Sequence, residues 1–345
     1  MRILYVGNSG GLENTARFYL FPPRLINGFI RNGHQVQVFN DKDVARLSNP
    51  FRSSRLGLAK TNALLLNHCR EYMPELVILA HCQFIENETV SEIRKICPHV
   101  KVIHLNVDPL SDRENCARIQ NRVGSVDGIF ITTAGQALQP FSNTFTFAAF
   151  IPNLVDLSID TGKAFETKEF TTDLFFAAGA MREDDHRKDL VLKLLQKTSG
   201  LSIDIYGAGI NDRKIFGMAY INKLASAKMG LVINKTEDYY LYASDRMSQY
   251  MANGLLVFAH TKPRYTDLFH ADEFISYETV DDLIEKVNYY HTHDEERITI
   301  AKKGYEKIHE IFHNQLVADY VIDTVFHRKT RSYPWPSEQY KGGYT

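Results

Sequence analysis

Apolar strand-like runs alternate with helix-like segments along almost the whole chain, and the alternation occurs twice. The first series of predicted strands covers residues 2–6, 35–39, 76–80, 100–105 and 128–132. After a polar stretch, a second series starts at Asp173 and continues to Ala259. Alternation of this kind produces parallel sheets covered by helices. The sequence therefore predicts an α/β protein with two doubly wound, Rossmann-like domains that face each other across a cleft.

The length of the chain fits two domains of ordinary size, because 345 residues exceed one typical compact unit. Residues 153–172 break the alternation with polar and charged side chains, and we interpret them as a linker. The predicted organisation is an N-terminal domain over 1–152, a C-terminal domain over 173–313, a crossover helix over 314–331 and a tail over 332–345.

The composition is that of an ordinary soluble protein, with 44% hydrophobic and 23% charged residues. A net charge of -1 does not favour nucleic-acid binding. The four cysteines form no Cys-x-x-Cys pair, which indicates reduced, mostly buried thiols. Because no signal peptide or membrane-spanning run is found, we expect a cytoplasmic protein. Attachment to the inner face of a membrane and the oligomeric state are left open.

The segment 244–258 carries the most functional information, because it predicts a short helix that runs directly into an apolar strand. Arg246 and Gln249 are three residues apart, so their side chains are expected on one side of the helix. Gly254 supplies the left-handed turn that ends the helix. An Arg beside a neutral amide suits a phosphate next to a pair of sugar hydroxyls. A core helix with a solvated polar face explains the same spacing.

The pattern Arg-x-x-Gln-x-x-Ala-x-Gly from Arg246 to Gly254 resembles the nucleotide-sugar segment of group 1 glycosyltransferases, which reads Arg-x-x-Glu-x-x-Ala-x-Gly. It is most similar to the branch named for spore-maturation proteins. Later segments fit the same pattern, namely 265–269, 273–277 and 300–304. The family's Glu, which would hold the donor ribose, is Gln249 here. An amide can still donate and accept hydrogen bonds, but the base identity and the ribose contact are left open.

The resemblance implies a GT-B enzyme that moves a sugar from a nucleotide-sugar donor to an acceptor hydroxyl with retention of configuration. The second domain would bind the donor, and the first would bind a glycan, lipid-linked or protein acceptor. Bacterial surface polysaccharide or glycan assembly is the implied context, with no cofactor beyond the donor substrate. Two alternatives remain: a nucleotide-sugar 2-epimerase on the same fold, and a non-catalytic sugar-nucleotide-binding protein, which Gln249 favours.

Ligands of open parallel sheets gather beyond the carboxyl ends of the strands, so the residues that follow each strand are the candidates. The predicted donor-binding residues are Arg182, Gly207, Asn234, Ser244, Asp245, Arg246 and Gln249. Ser244 or Asp245 is expected to cap a helix whose free amides, with Arg246, would grip a phosphate. The resemblance implies a basic residue near Arg182 that neutralises the donor diphosphate.

The loop after the first strand is a candidate phosphate or acceptor loop made of Asn8, Ser9, Gly10 and Gly11. Its two glycines allow backbone amides to approach a ligand at the start of a helix. A tight strand-to-helix turn explains the same residues.

Two side chains in the first domain are candidates for catalysis. Asp108 follows the fourth strand, where a carboxylate could act as general base on an acceptor hydroxyl or contact the donor sugar. His81, just past the third strand, is the competing candidate. A structural role at a strand end is the alternative for each residue.

No metal site is predicted, because no His or Cys cluster has metal-ligand spacing. Asp41 and Asp43 have the carboxylate spacing of single-sheet, metal-dependent glycosyltransferases, but a second doubly wound half leaves no room for that fold. We therefore expect cationic side chains and helix ends to stabilise the leaving diphosphate.

Overall fold

The computed structural model describes residues 1–10, 15–179, 185–198, 200–207, 210–211, 213–328 and 330–342. The chain divides into two compact units. The first unit contains Met1–Pro152 together with the chain from Asn314 onward, and the second contains Asn153–His313.

The first unit is built on a seven-stranded sheet. Its strands are β1 (Arg2–Val6), β2 (Gln35–Phe39), β3 (Leu76–Ala80), β4 (Lys101–Asn106), β5 (Gly128–Ile131), β6 (Phe147–Phe150) and, from the end of the chain, β12 (Gln339–Tyr340). Its helices are α1 (Phe21–Arg31), α2 (Asp41–Leu47), α3 (Leu58–Tyr72), α4 (Asn87–Ile96), α5 (Arg113–Gln120) and α11 (Asn314–Val325). The strand order is β12-β6-β5-β4-β3-β1-β2, and only β12 is antiparallel to its neighbour.

Burial along the strands explains this order. Strands β3, β5 and β6 are buried at every position and are continuously apolar, as expected for the interior of a parallel sheet. Strand β2 alternates Gln and Val and is largely exposed, which suits an edge. Helix α1 begins at Phe21, and two prolines occupy its first turn, where they cost no backbone hydrogen bond.

The second unit is a smaller parallel sheet with the order β11-β10-β9-β7-β8. Its strands are β7 (Thr172–Ala177), β8 (Ile203–Tyr206), β9 (Ala227–Leu231), β10 (Leu256–His260) and β11 (Ile275–Tyr277). Its helices are α6 (His186–Lys197), α7 (Gly217–Ala225), α8 (Asp245–Ala252), α9 (Val280–Thr292) and α10 (Asp294–Ile311). Two α/β domains with parallel sheets confirm the predicted fold class.

The stretch predicted as a linker, 153–172, instead packs inside the second unit. Phe165 is buried there, and its ring lies 5.3 Å from that of Tyr305. Buried Asp160 accepts a hydrogen bond from Asn253 at 3.2 Å. At least one polar residue that suggests a linker, Asp160, is therefore buried and hydrogen-bonded inside the domain, which composition alone does not reveal.

The chain after α11 differs from the predicted extended tail. Trp335 is buried and packs edge-on to Tyr320 of α11, with 5.3 Å between ring centroids. Residues 339–340 then pair with β6. Helix α11 itself packs on α1, where a Cβ at Gly28 would lie 2.3 Å from the Asn314 carbonyl oxygen, so only glycine permits this approach.

Candidate functional site

Arg246 lies in the first turn of α8 and joins the ends of two strands of the second sheet. Its Nη2 donates to the Ile233 carbonyl at 2.7 Å, and its Nη1 donates to the Ala177 carbonyl at 3.3 Å. The guanidinium also lies 5.6 Å from the ring centroid of Phe176. Its Nε is buried and has no hydrogen-bond partner among the described residues. The guanidinium is therefore fixed at the carboxyl edge of the sheet and retains unused N–H donors, among them that of Nε.

Gln249, which is expected on the same side of the helix as Arg246, is buried against another helix. Its side chain is buried, and its Oε1 accepts a hydrogen bond from the Tyr220 hydroxyl of α7 at 2.6 Å. A neutral amide can be buried with such a partner at lower cost than a carboxylate. This environment accounts for a Gln where the related pattern has a Glu.

Asn234 organises the loop that follows β9. Its Nδ2 donates at 2.8 Å both to Glu237 and to the Tyr265 hydroxyl, and its Oδ1 accepts from the backbone N–H of Ser244 at 2.8 Å. The backbone N–H of Asn234 also donates to Glu237 at 2.8 Å. Burial raises the pKa of Glu237, and these bonds to its carboxylate oppose that rise. Asn234 thus connects the loop to the start of α8 and has little capacity left for a ligand.

The remaining residues predicted to bind the sugar donor lie in different structural settings. Ser244 occupies the N-cap of α8 without a capping bond from its side chain, and its buried Oγ has no partner within the described chain. Asp245 is the first helical residue. Gly207 has φ +149°, and a Cβ there would lie 2.8 Å from the Ala178 carbonyl oxygen. A glycine at this position therefore permits the two backbone segments to approach closely. Arg182 lies outside the described residues.

A cavity of about 440 Å³ opens in the second unit beside these loops. It is lined by residues that follow β9, β10 and β11 and by one side of α6, including His186, Lys193, Lys235, Glu237, His260, Lys262, Tyr277 and Glu278. Lys262 pairs with Asp238 at 3.0 Å, whereas Lys193 and Lys235 form no ion pair with any described residue. Burial, followed by Lys262, lowers the pKa of His260, so its ring is neutral at pH 7. The cavity thus offers Lys193 and Lys235 for a phosphate and an uncharged ring for stacking, beside the carboxylates of Asp189, Glu237, Asp238 and Glu278.

Most of this lining was missed by sequence reasoning. The residues around Lys235 and His260 directly follow strands, so inspecting each strand end for cations and rings would have found them. The contribution of α6 depends on how that helix packs, which periodicity does not specify.

In the first unit, the structure brings His81 and Asp108 together at the carboxyl edge of the sheet. His81 Nε2 accepts a hydrogen bond from the Val107 backbone N–H at 3.0 Å, and its Nδ1 lies 3.5 Å from Asp108 Oδ2. Burial lowers the pKa of His81, although Asp108 opposes this, so a neutral ring carries its proton on Nδ1, facing the carboxylate. Their side chains are 35% and 49% exposed, so a substrate can reach both.

Two buried asparagines hold the loop that carries Asp108. Asn106 Oδ1 accepts from the Asp108 backbone N–H at 3.0 Å, and the Asn106 side chain bonds to Asn115 of α5 at 2.7 Å. Asn115 Nδ2 also donates to the Pro109 carbonyl at 3.2 Å. This network fixes the backbone around Asp108. Sequence reasoning missed it, because Asn115 meets Asn106 only through the packing of α5.

The described part of the loop after β1 forms a local turn. Asn8 Oδ1 accepts a hydrogen bond from the Gly10 backbone N–H at 3.0 Å, and Gly10 has φ +104°. Ser9 lies between them, and Gly11 is outside the described residues. The observed part fits the tight-turn interpretation.

The described residues contain no group of three or more His, Cys, Asp or Glu side chains placed to hold a metal ion. Asp41 and Asp43 lie in the first turn of α2, and Asp41 is buried. In the same part of the chain, no helix has the length and apolar character needed to cross a bilayer.

Comparison with known families gives a match to a family described as "Glycosyl transferase-like" over residues 183–323. The matched segment includes α8 and Arg246. The predicted enzyme class, a glycosyltransferase, is confirmed by this match over the second unit. No curated protein sequence matches the chain.

Solved structures share the fold at low identity. HepE from Anabaena, crystallised with UDP and glucose, is 13% identical with a TM-score of 0.60, over 95% of this chain and 100% of that one. AviGT4, a glycosyltransferase involved in avilamycin A biosynthesis, is 12% identical with a TM-score of 0.55, over 94% and 96%. These similarities confirm the predicted GT-B fold.

Two further structures bear on function and length. A putative UDP-N-acetylglucosamine 2-epimerase from Listeria monocytogenes is 11% identical with a TM-score of 0.51, over 97% of this chain and 99% of that one. The chain spans only 58% of the length of TarM, which it also resembles. Folds of this kind host several reactions, so the similarities do not identify the substrates.

Proposed function

We propose that the protein transfers a sugar from a nucleotide-sugar donor to an acceptor hydroxyl, with the donor on the second domain and the acceptor on the first. The observation that carries this proposal is Arg246. Its guanidinium is anchored at the carboxyl edge of the second sheet and has a buried Nε without a partner among the described residues. Because the side chain is already ordered, it loses little conformational entropy when it binds a phosphate.

The donor diphosphate would lie between Arg246 and the cavity, where Lys193 and Lys235 supply positive charge. Ser244 and Asp245 at the start of α8 would complete the phosphate contacts. Gln249 would support α8 through Tyr220, leaving the ribose to other groups. HepE was crystallised with UDP-glucose, so uridine nucleotides are the first donors to test.

In the first domain, Asp108 would accept the proton of the acceptor hydroxyl. The acceptor oxygen then bonds to the anomeric carbon of the donor sugar, the bond from that carbon to the diphosphate oxygen breaks, and the diphosphate leaves. His81, with Nδ1–H facing Asp108, would orient the carboxylate. A proton acceptor positioned in this way contributes about 10²–10⁴-fold to the rate.

The biological setting is part of the same proposal. The motif around Arg246 resembles the spore-maturation branch of group 1 glycosyltransferases, which favours surface polysaccharide or glycan assembly in the cytoplasm or at the inner face of the membrane. The acceptor would be a glycan, a lipid-linked sugar or a protein. No metal ion or cofactor takes part, and retention of the anomeric configuration would require the acceptor oxygen to attack from the same face of the sugar that the diphosphate leaves.

A thermal-shift screen against UDP, GDP, CDP, dTDP and CMP sugars tests the donor. A ligand bound only by the folded state raises the melting temperature, so the cognate nucleotide sugar should raise that of the parent protein. It should raise the melting temperature of the Arg246→Ala variant by less. If no nucleotide sugar raises the melting temperature, the proposal is wrong.

An epimerase is the second candidate, favoured by the similarity to the Listeria protein over nearly the whole of both chains. The cognate donor incubated without acceptor separates the two reactions. An epimerase forms the C2 epimer of the nucleotide sugar, visible by NMR, whereas a transferase forms none and needs an acceptor for rapid turnover. Binding without either product would identify a non-catalytic sugar-nucleotide-binding protein.

A further inference from the structure

A long segment of the first unit, from Val44 to Arg70, contains no Asp or Glu. Its five basic residues are Arg46, Arg52, Arg55, Lys60 and Arg70. The whole chain is nearly balanced, with 40 Lys and Arg against 41 Asp and Glu, so this segment concentrates positive charge locally. A block of one sign within a neutral chain indicates an anionic partner.

The same segment exposes large apolar side chains. Leu47, Phe51 and Leu56 are 61%, 80% and 65% exposed, and Phe51 is the most exposed large apolar residue in the described part of the chain. Arg52, Arg55 and Lys60 are exposed between and beside them and form no ion pair with any described residue. Apolar and cationic groups are therefore interleaved on one short stretch.

The loop that carries Phe51 is held in place by its own hydrogen bonds. Asn49 Nδ2 donates to the carbonyls of Ser53 at 2.7 Å and Ala45 at 3.1 Å, and its Oδ1 accepts from the Ser53 backbone N–H at 3.1 Å. Arg52, at φ +50°, forms the turn next to Phe51. The aromatic ring is thus presented to solvent by a fixed loop and has not folded back onto the domain.

An apolar groove adjoins the loop. A cavity of about 500 Å³ is lined by Phe39, Val44, Leu64 and Tyr72, among others. Val44 lies one turn before Leu47 on α2, and Leu64 lies one turn after Lys60 on α3. The apolar surface therefore continues from the loop along the two helices that flank it.

We propose that residues 47–60 dock the protein onto an anionic phospholipid surface. Leu47, Phe51 and Leu56 would enter the boundary between headgroups and acyl chains, while Arg52, Arg55 and Lys60 would contact the headgroup phosphates. A bilayer surface suits an apolar tip that is surrounded by cations, because the apolar acyl chains lie directly below the negatively charged headgroups. This surface uses none of the residues proposed for the transfer reaction, and it assigns the segment that would hold the protein at the inner face of the membrane.

Vesicle sedimentation with the full-length chain tests the proposal. The protein should bind vesicles that contain phosphatidylglycerol and bind phosphatidylcholine vesicles much more weakly, with the difference shrinking as salt is raised. The double variant Arg52→Gln/Arg55→Gln should reduce binding roughly 30-fold, because each cation near an anionic surface contributes about fivefold. Phe51→Ser should reduce it about tenfold or more through lost apolar burial.

A matched pair of leucines controls for a general effect of removing exposed apolar area. Leu56 is 65% exposed and Leu157, in the second unit, is 62% exposed. Leu56→Ser should weaken vesicle binding, and Leu157→Ser should leave it unchanged. The proposal is overturned if the parent protein does not bind anionic vesicles or if both leucine variants bind equally. It is also overturned if Phe51→Ser dissociates a dimer, measured by sedimentation velocity, and leaves vesicle binding unchanged. The surface would then join two copies of the chain.

Discussion

At the carboxyl edge of the second sheet, polar side chains are bonded to one another and to the backbone, whereas at the first sheet His81 and Asp108 remain partly exposed. Asn234 holds a loop, and Arg246 joins two strand ends through carbonyl oxygens. In the first domain, the buried Asn106 and Asn115 provide the corresponding support and leave His81 and Asp108 accessible.

This difference separates two tasks that one reaction requires. Binding a diphosphate benefits from donors that are already ordered, because little entropy is then lost on association. Proton transfer requires a group that a substrate can reach, with its orientation set from behind. Asp108→Asn changes the first domain and Arg246→Ala changes the second. If one variant impaired donor binding and turnover alike, the two tasks would not be divided between the domains.

The largest expected effect belongs to the first domain. Asp108→Asn keeps the shape of the side chain and removes its charge, so turnover should fall about 10²-fold or more. Affinity for the donor, measured by calorimetry, should not change. Normal turnover in the folded variant would leave Asp108 a structural residue and transfer the catalytic role to His81. Asp112→Asn, four residues away at the N-cap of α5, controls for local destabilisation.

The next effect belongs to the second domain. Arg246→Ala should weaken nucleotide binding by about 1.5–3 kcal/mol through the loss of a charged hydrogen bond. It should also lower the free energy of unfolding, because the carbonyls of Ile233 and Ala177 lose their partner. Arg264→Ala is the matched control, since that guanidinium is exposed and pairs with Asp267 near Tyr240. Equal affinities in the two variants would contradict the role of Arg246.

The domains should also respond to acid in different ways. His104 is buried in β4 with both ring nitrogens lacking partners among the described residues, and burial lowers its pKa to about 3. The ordinary pKa of this histidine is 6.5. Keeping His104 neutral in the folded protein therefore costs no stability above pH 6.5, and the free energy of unfolding falls as the pH drops from 6.5 towards 3. At pH 5 the loss is about 2 kcal/mol. The pKa of Glu237 in the second domain is instead raised by burial, so its ionisation costs stability as the pH rises above 4.5.

Fluorescence can isolate the first domain, because Trp335 is the only tryptophan and is buried in that unit. Urea unfolding followed by Trp335 emission should show a fall in stability from pH 7 to pH 5. His104→Phe, which fills the site with an apolar ring, should reduce that fall. An unchanged pH dependence would show that other groups govern acid sensitivity.

Strand positions could be predicted from the sequence, because a buried parallel strand needs a continuous apolar run. His81, Asp108 and Asn234 follow such runs and therefore lie at the sheet edges, as expected. The partners of these residues could not be predicted. Tyr220 reaches Gln249 from another helix, and Trp335 packs back onto α11, and both contacts depend on side-chain packing between distant segments. The polar composition of residues 153–172 did not indicate their packing either, because buried Asp160 finds its partner in Asn253, far along the chain.

Removing divalent metal ions should not change turnover, and this prediction concerns both domains equally. Turnover in EDTA should match turnover with added magnesium, because Lys193, Lys235 and Arg246 can neutralise the leaving diphosphate. Lys193→Gln/Lys235→Gln is the informative companion, since it should slow turnover whether or not magnesium is present. Loss of activity in EDTA that magnesium restores would contradict this charge assignment. A second assay with Asp41→Asn and Asp43→Asn would then separate a site on α2 from a metal ion carried in by the donor.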